Sequence, residues 1–135
     1  MPLKVEAELE RLLCEEKIAW LTTVRSDGTP QPTPVWFLWQ QGTFLIYSQP
    51  EAKKIRNIAN EPRVALNLNT DPGGDRVVVV TGTASVDANA TPASAIPAYV
   101  EKYQEGFVQI EMTAESMAKE YSTAIRVTPN WIRHE

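Results

Sequence analysis

The stretch IAWLTTVRSDGTPQPTPVWFLWQQGTFLIYS, residues 18–48, contains three successive runs of β-branched, aromatic and other apolar residues. Such residues are enriched in strands. The runs are separated by SDGT (26–29) and QQG (40–42), and an Asp-Gly turn between strand-like runs is typical of a β-hairpin. The stretch therefore predicts three antiparallel strands joined by tight turns, at 18–25, 31–39 and 43–48.

Three prolines mark the start of the second predicted strand: Pro30, Pro32 and Pro34. Proline has no N–H to donate to a sheet ladder and is found in edge strands, at strand starts or at bulges. We therefore expect an edge or a bulge where this strand begins.

The rest of the chain predicts further strands and flanking helices. Residues 3–16 have the apolar spacing of an amphipathic helix, and 97–121 have a helical pattern that Gly106 divides. Strands are predicted at 63–69, at 76–86 and in the final segment STAIRVTPNWIRHE. The near-continuous valines of 76–86 predict burial on both faces, and Gly82 predicts a bend or a bulge.

This order of elements predicts the fold class. Three hairpin-linked strands, a short helix, two strands, helices and a returning strand favour a six-stranded antiparallel sheet that closes into a small split barrel. A doubly wound parallel fold is disfavoured, because strands and helices do not alternate regularly. The length of 135 residues predicts a single domain, residues 1–135.

Composition and charge exclude several classes of protein. The net charge of −4 disfavours a general nucleic-acid binder. No apolar run approaches the roughly 20 residues that span a bilayer, and the acidic N-terminal stretch is unlike a signal peptide. A single cysteine allows no intrachain disulfide. We therefore predict a cytoplasmic protein that binds neither membranes nor nucleic acid.

Residues for direct side-chain catalysis are scarce. The only histidine is His134, next to the last residue, and the only cysteine, Cys14, is followed by two glutamates, an environment unlike that of a nucleophilic cysteine. A Ser-His-Asp triad, a Cys-His pair or a zinc site is accordingly disfavoured. The sequence predicts no catalytic side chain and no metal site.

A basic cluster follows the third predicted strand. Gln49, Pro50 and Glu51 are predicted to open a helix that ends before Pro62, with Lys53-Lys54 and Arg56 near its start. Cations at a helix N-terminus oppose the macrodipole, by roughly 0.3–1 kcal/mol each. The cluster therefore indicates either a phosphate-type anion site or a solvated basic surface.

The second predicted strand is unusually aromatic beside this cluster. Thr33 to Phe37, followed by Trp39, could form a platform on which a planar ligand lies while its phosphate reaches the lysines. Core or dimer-interface packing is the other interpretation of Trp36 and Trp39. An enzyme with neither base nor metal can still function if a cofactor supplies the chemistry.

Five segments together carry a family resemblance: LTTVRSDGTPQPTPVWF (21–37), YS (47–48), AKKIRNIANEPRVAL (52–66), VVVVTGTASV (77–86) and AIRVTP (124–129). In this order and spacing the sequence resembles the pyridoxamine 5′-phosphate oxidase-like split-barrel flavoproteins. It is most similar to the branch of probable deazaflavin (coenzyme F-420)-dependent oxidoreductases. Pyridoxamine phosphate oxidases carry basic residues where this chain has PTPVWF (32–37), which favours the deazaflavin branch.

The resemblance implies a cofactor site. Lys53 and Lys54 match the residues that bind the cofactor phosphate, and Tyr47 and Ser48 match strand-end residues near it. The strand that passes the ring, with backbone N–H groups facing the ring's polar edge, corresponds to Thr33, Pro34, Val35, Trp36 and Phe37. Further candidates are Arg56, Asn57 and Arg76.

The resemblance also implies an activity. We expect a homodimeric oxidoreductase that transfers a hydride between coenzyme F-420 and a small organic substrate, with the cofactor in a groove at the dimer interface. FMN is the alternative cofactor. A protein that binds a flavin or deazaflavin without turnover, or a haem-binding barrel, are the other functions that this fold implies.

Overall fold

The computed structural model describes residues 5–68, 71, 73–74 and 76–134. Its helices are α1 (Ala7–Glu15), α2 (Lys53–Asn60), α3 (Pro97–Lys102), α4 (Gln104–Gln109) and α5 (Ala114–Glu120), with a 3₁₀ turn at Ala93–Ala95. Its strands are β1 (Ala19–Val24), β2 (Pro30–Val35), β3 (Leu38–Gln40), β4 (Thr43–Ser48), β5 (Arg63–Leu68), β6 (Val78–Val86) and β7 (Thr123–His134).

The described strands form one antiparallel sheet in the order β2-β1-β5-β6-β7-β4-β3. The two edge strands, β2 and β3, are joined by Trp36 and Phe37 alone. A connection of two residues holds the two edges of the sheet close together, so the sheet has to curl. The predicted split-barrel class with flanking helices is confirmed.

The predicted number of six strands is wrong, because the segment 31–39 forms two strands rather than one. The backbone at Phe37 leaves the sheet ladder to bind side chains of α3 and the residue after it. Its N–H donates to the Tyr103 hydroxyl at 2.8 Å, and its carbonyl accepts from Lys102 Nζ at 2.8 Å. These tertiary bonds interrupt a run that is strand-like in sequence.

Strand β2 is an edge strand, as its prolines predicted. Its register opposes Gln31, Thr33 and Val35 to residues of β1, with a proline at each position between them. Because proline cannot donate, the ladder bonds to β1 belong to these three residues. The intervening positions point their backbone away from β1, so Pro30, Pro32 and Pro34 leave carbonyl oxygens but no N–H on the free edge.

Strand β6 confirms the predicted irregularity at Gly82 and corrects its predicted burial. The register with β7 shifts between Thr81 and Gly82, and a Cβ on Gly82 would lie 2.4 Å from the Thr128 carbonyl oxygen. Val78 and Val80 are buried, but Val79 on the other face is only half-buried. The prediction that both faces of this strand are buried was therefore wrong.

The outer face of β1, β5, β6 and β7 carries two exposed tryptophans. Cross-strand register aligns Trp20 with Asn67, Val79 and Arg133, and aligns Thr22 with Ala65, Thr81 and Trp131. Trp20 is 37% exposed and Trp131 is 49% exposed. This outer sheet face has Pro34 at its margin, since Pro34 is opposite Trp20 in the register.

Two apolar clusters hold the molecule together. One fills the barrel with side chains such as Leu21, Phe44 and Ile125, and α1 contributes Leu13 to it. The second lies under α3, α4 and α5 and contains Tyr47, Tyr99, Tyr103, Phe107 and Met117. Helices α3 to α5 are thus fixed to the outside of β4 and β7, near the end of β2.

The predicted division of the 97–121 helix at Gly106 is wrong. The first break falls at Tyr103, and Gly106 lies within α4. Its lack of a side chain serves packing instead, since a Cβ there would lie 2.9 Å from the Trp36 ring.

Candidate functional site

Helix α2 begins in an electrostatically unusual way. It starts at Lys53, three residues later than the predicted first helical position Pro50, because Ala52 is still extended (φ −62°, ψ 146°). Its first turn holds Lys53 and Lys54, has no acidic residue and has no side-chain cap. The helix ends at Asn60, before Pro62 as predicted. Uncapped N–H groups and two cations together favour an anion at this point.

A groove follows the free edge of β2 and passes this helix start. Its apolar end is a cavity of about 300 Å³ whose walls include Pro34, Val35, Trp36, Tyr47, Tyr99 and Met117. Its basic end consists of two adjoining cavities of about 280 and 310 Å³, lined by residues that include Gln31, Thr33, Lys53, Arg56 and Asn57. Lys54 borders both ends, and Lys53 borders both basic cavities, so the two ends are contiguous.

Lys54 is the most informative charge in the groove. Burial lowers the pKa of this half-buried lysine. Among the described residues, its ammonium group has neither a hydrogen bond nor an ion-pair partner. A partly desolvated cation without a counter-charge is costly, and a bound anion would remove that cost.

Lys53 and Arg56 are exposed, and neither forms an ion pair with a described residue. Arg25, which also borders the basic end, is paired with Asp27 at 2.8 Å. The basic end therefore has cationic side chains that are not neutralised within the described part of the chain.

Asn57 lies at the groove but has a structural task. It is 6% exposed, and its side-chain amide donates to Thr23 Oγ1 at 2.9 Å and to Gln31 Oε1 at 2.8 Å. Both amide hydrogens are thus used to fix α2 against β1 and β2. Asn57 positions the lysines, and its donors are not free for a ligand.

Tyr47 and Ser48 end β4 in different environments. Tyr47 lines the apolar end, its hydroxyl donates to the Thr91 carbonyl at 2.5 Å, and burial raises its pKa to about 12. Ser48 is buried, and its hydroxyl donates to the Gln49 carbonyl at 2.9 Å. Neither hydroxyl is directed to the lysines, although the Tyr47 ring remains part of the groove.

The segment from Thr33 to Phe37 divides between groove and core. Pro34, Val35 and Trp36 border the apolar end, Thr33 borders the basic end, and Phe37 is fully buried in the barrel. Trp36 stacks on Tyr103 with ring centroids 4.5 Å apart. The N–H groups of Thr33, Val35 and Phe37 are already bonded, so this edge offers a ligand carbonyl oxygens more than donors.

Arg76 lies outside the groove. It precedes β6, its guanidinium pairs with Glu8 of α1, and its N–H donates to Asp71 Oδ1 at 2.8 Å. The structure brings the other predicted site residues, apart from the buried Ser48 and Phe37, to one groove and leaves Arg76 beside the N-terminal helix.

Sequence reasoning missed several residues of the groove. Thr23 and Gln31 at the basic end are cross-strand partners in the first hairpin, so the register of that hairpin could have indicated them. Tyr99, at the apolar end, comes from α3, which is remote in sequence. Its spacing of four residues from Tyr103 signals a shared helix face but gives no sign that the face borders β2.

Within the described ranges, no group of three or more His, Cys, Asp and Glu residues could hold a metal ion. No helix in the same part of the chain has the length and apolar character to cross a membrane.

The curled antiparallel sheet with its flanking helices defines the split-barrel class, and its groove joins an apolar aromatic cavity to a basic helix start. The family model described as pyridoxamine 5′-phosphate oxidase matches residues 5–135. The chain therefore belongs to the pyridoxamine 5′-phosphate oxidase family, which confirms the resemblance. No curated protein matches the sequence significantly.

Solved structures of the same fold cover nearly the whole chain. An F420 reductase is 25% identical, with a TM-score of 0.68 over 96% of this chain and 98% of its own. A conserved hypothetical protein of Mycobacterium tuberculosis, Rv2991, is 19% identical, with a TM-score of 0.79 over 98% and 84%. The haem storage protein HutZ of Vibrio cholerae is 15% identical, with a TM-score of 0.69 over 98% and 95%.

Proposed function

We propose that this protein is an oxidoreductase that binds a phosphorylated deazaflavin, coenzyme F-420, in the groove along β2. FMN is the alternative cofactor. The phosphate lies at Lys53 and Lys54, and the planar ring lies in the apolar end. The reaction is a hydride transfer to or from a small organic substrate.

The observation that carries this proposal is the half-buried, unpartnered ammonium group of Lys54 at the junction of the two ends. One side chain borders both an aromatic cavity and a basic surface, as a ligand with a ring and a phosphate requires. Family membership and the similarity to an F420 reductase support the same class of ligand. The aromatic walls and the carbonyl edge of β2 suit a flat ring that carries N–H groups.

Such a cofactor, when bound, supplies hydride transfer itself. The residues of this chain bind, orient and desolvate it. Asn57 holds α2 in place, Lys54 neutralises negative charge, and Trp36 and Tyr47 exclude water from the apolar end. The groove contains no histidine, cysteine or acidic residue among its described lining residues, so no side chain there is assigned as a general acid or base.

Fluorescence titrations with coenzyme F-420, FMN and riboflavin test this proposal. We expect tighter binding of coenzyme F-420 than of FMN, and weaker binding of riboflavin, which lacks the phosphate. The variant Lys54→Met keeps the aliphatic stem and removes the charge. It should weaken FMN and F-420 binding by about 1.5–3 kcal/mol, roughly 10- to 150-fold in Kd, and leave riboflavin unaffected.

Lys119→Met is the matched control, since Lys119 is an exposed lysine of α5 that does not line the groove. Its Kd values should equal those of the unmodified protein. Equal FMN affinity in Lys54→Met and Lys119→Met would refute the phosphate site. Failure of all three ligands to bind would refute the proposed cofactor class.

Turnover separates an enzyme from a protein that only carries the cofactor. Anaerobic oxidation of the reduced cofactor in the presence of candidate acceptors should exceed its rate in buffer. Binding without any acceptor-dependent oxidation across a broad panel would favour a carrier. Haem binding receives no support from the groove, because the only histidine, His134, lies on β7 opposite Val78.

We further propose a homodimer that uses the outer sheet face. Trp20 and Trp131 are exposed there, and the same face reaches Pro34 at the groove, so a second copy would border the ligand. Trp131→Glu should shift the sedimentation coefficient from dimer to monomer, whereas Val108→Glu, at an exposed apolar residue of α4, should not. A monomeric unmodified protein would contradict the proposal.

The cytoplasmic location stays a prediction.

A further inference from the structure

The apolar end of the groove contains one polar group without a partner. The Tyr99 side chain is fully buried, and its hydroxyl is the one buried side-chain polar atom of the described residues that lacks a hydrogen bond. Buried hydroxyls are nearly always bonded, and an unsatisfied one costs about 1–3 kcal/mol. Tyr99 is also one of the residues around the 300 Å³ cavity, so the unsatisfied group belongs to a side chain beside the apolar end.

Neighbouring tyrosines show that this environment normally satisfies its hydroxyls. The Tyr103 hydroxyl accepts from the Phe37 N–H at 2.8 Å and lies 2.7 Å from the Lys17 carbonyl oxygen. The Tyr47 hydroxyl donates to Thr91. The ring of Tyr99 contacts both rings, at centroid distances of 5.2 and 5.0 Å. Of these three tyrosines, Tyr99 is the one whose hydroxyl is available to donate a hydrogen bond to a ligand.

The edge of β2 explains why a ligand needs such a donor. Prolines and ladder bonds leave carbonyl oxygens on that edge, which can accept from a ligand but cannot donate to one. A planar ring with its own carbonyl or ring-nitrogen acceptors must find donors elsewhere. Burial raises the pKa of Tyr99 far above its ordinary value, so its hydroxyl stays protonated and able to donate.

We propose that the Tyr99 hydroxyl donates a hydrogen bond to an acceptor atom, a carbonyl oxygen or a ring nitrogen, on the planar group in the apolar end. This inference rests on the proposed function and adds a residue that fixes the ring rather than the phosphate. Tyr99 contacts the ligand and determines which edge of the ring enters the cavity. Rings without an acceptor at that edge are selected against.

The test is the variant Tyr99→Phe, which removes the hydroxyl alone. Its ligand-free form should unfold at the same temperature as the unmodified protein or at a higher one, because no bond is lost. Its Kd values for riboflavin, FMN and coenzyme F-420 should each rise about 3- to 10-fold, the size of one neutral hydrogen bond. Lys54→Met, by contrast, should affect only the phosphorylated ligands.

Tyr103→Phe is the matched control, with the same atom removed from a hydroxyl that has partners. It should lower the unfolding temperature of the ligand-free protein. If Tyr99→Phe lowers it equally, the hydroxyl has a partner in the free protein and the inference is wrong. If Tyr99→Phe binds riboflavin as tightly as the unmodified protein while Lys54→Met loses FMN, the inference fails and the proposed function stands. If the unmodified protein binds none of the three, both fail.

Discussion

Two half-buried lysines of this protein, Lys54 and Lys102, differ in the partners that surround their ammonium groups. Burial lowers the pKa of both. Lys102 donates to the carbonyls of Phe37 at 2.8 Å and Leu13 at 3.4 Å, and its Nζ lies 3.7 Å from the centroid of the Phe37 ring. Lys54 has no comparable partner among the described residues. Backbone carbonyls thus solvate the ammonium group of Lys102, whereas no described residue does so for Lys54.

This difference separates a charge that holds the fold together from the charge to which we assign a binding role. Lys102 joins α3 to the ends of α1 and β2, and so contributes to the stability of the fold. The half-buried charge of Lys54 raises the free energy of the ligand-free protein, and a bound anion would lower it. Burial or pKa alone would not distinguish the two residues, whereas the number of satisfied donors does.

The largest expected effect is the loss of stability when Lys102 is replaced. Lys102→Met should lower the free energy of unfolding by about 2 kcal/mol, because hydrogen bonds from a charged donor and a cation–π contact are both lost. Urea unfolding followed by tryptophan fluorescence measures this. A variant as stable as the unmodified protein would show that the backbone contacts of Lys102 are incidental.

A smaller effect should appear in the pH dependence of stability. The pKa of Lys102 falls from an ordinary 10.5 to about 8, so between those values the unfolded chain binds more protons. Stability should therefore rise as the pH increases from 8 towards 10. Burial raises the pKa values of Tyr47, Tyr99 and Tyr103, so stability should fall again above about pH 10.

Urea midpoints measured from pH 7 to 11 should thus pass through a maximum. In Lys102→Met the rising part should flatten and the fall above pH 10 should persist. If the urea midpoint of Lys102→Met rises as much between pH 8 and 10 as that of the unmodified protein, the rise comes from the titration of another group.

The smallest effect concerns Lys54 in the absence of ligand. Lys54→Met should leave the free energy of unfolding unchanged or raise it by up to about 1 kcal/mol, because a partly desolvated, unpartnered charge is removed. The sign is opposite to that at Lys102. Loss of 1 kcal/mol or more in urea unfolding would mean that Lys54 is a structural lysine, and the contrast would disappear.

The sequence predicted the parts of the fold that depend on local chemistry. Gly82 produced a bulge, and the alternating prolines produced an edge strand. The division at Trp36 and Phe37 was not predictable, since it depends on Lys102 and Tyr103, more than 60 positions away.

The site followed the same rule. The lysines of α2 and the strand beside them were evident, because their charges and aromatic rings are unusual in any context. Asn57 looked like a ligand residue until its amide was seen to bind Thr23 and Gln31. Tyr99 was missed because an unsatisfied hydroxyl is a property of three-dimensional packing and leaves no mark in a single sequence.

The proline-lined edge of β2 affects the tendency of these molecules to aggregate at high concentration. An edge strand normally presents alternating donors and acceptors to which a strand of another chain can add, and this is a common route to aggregation. Here one edge offers acceptors only, and the other, β3, is just three residues long. The groove can therefore stay open to a small ligand without inviting a foreign strand to extend the sheet.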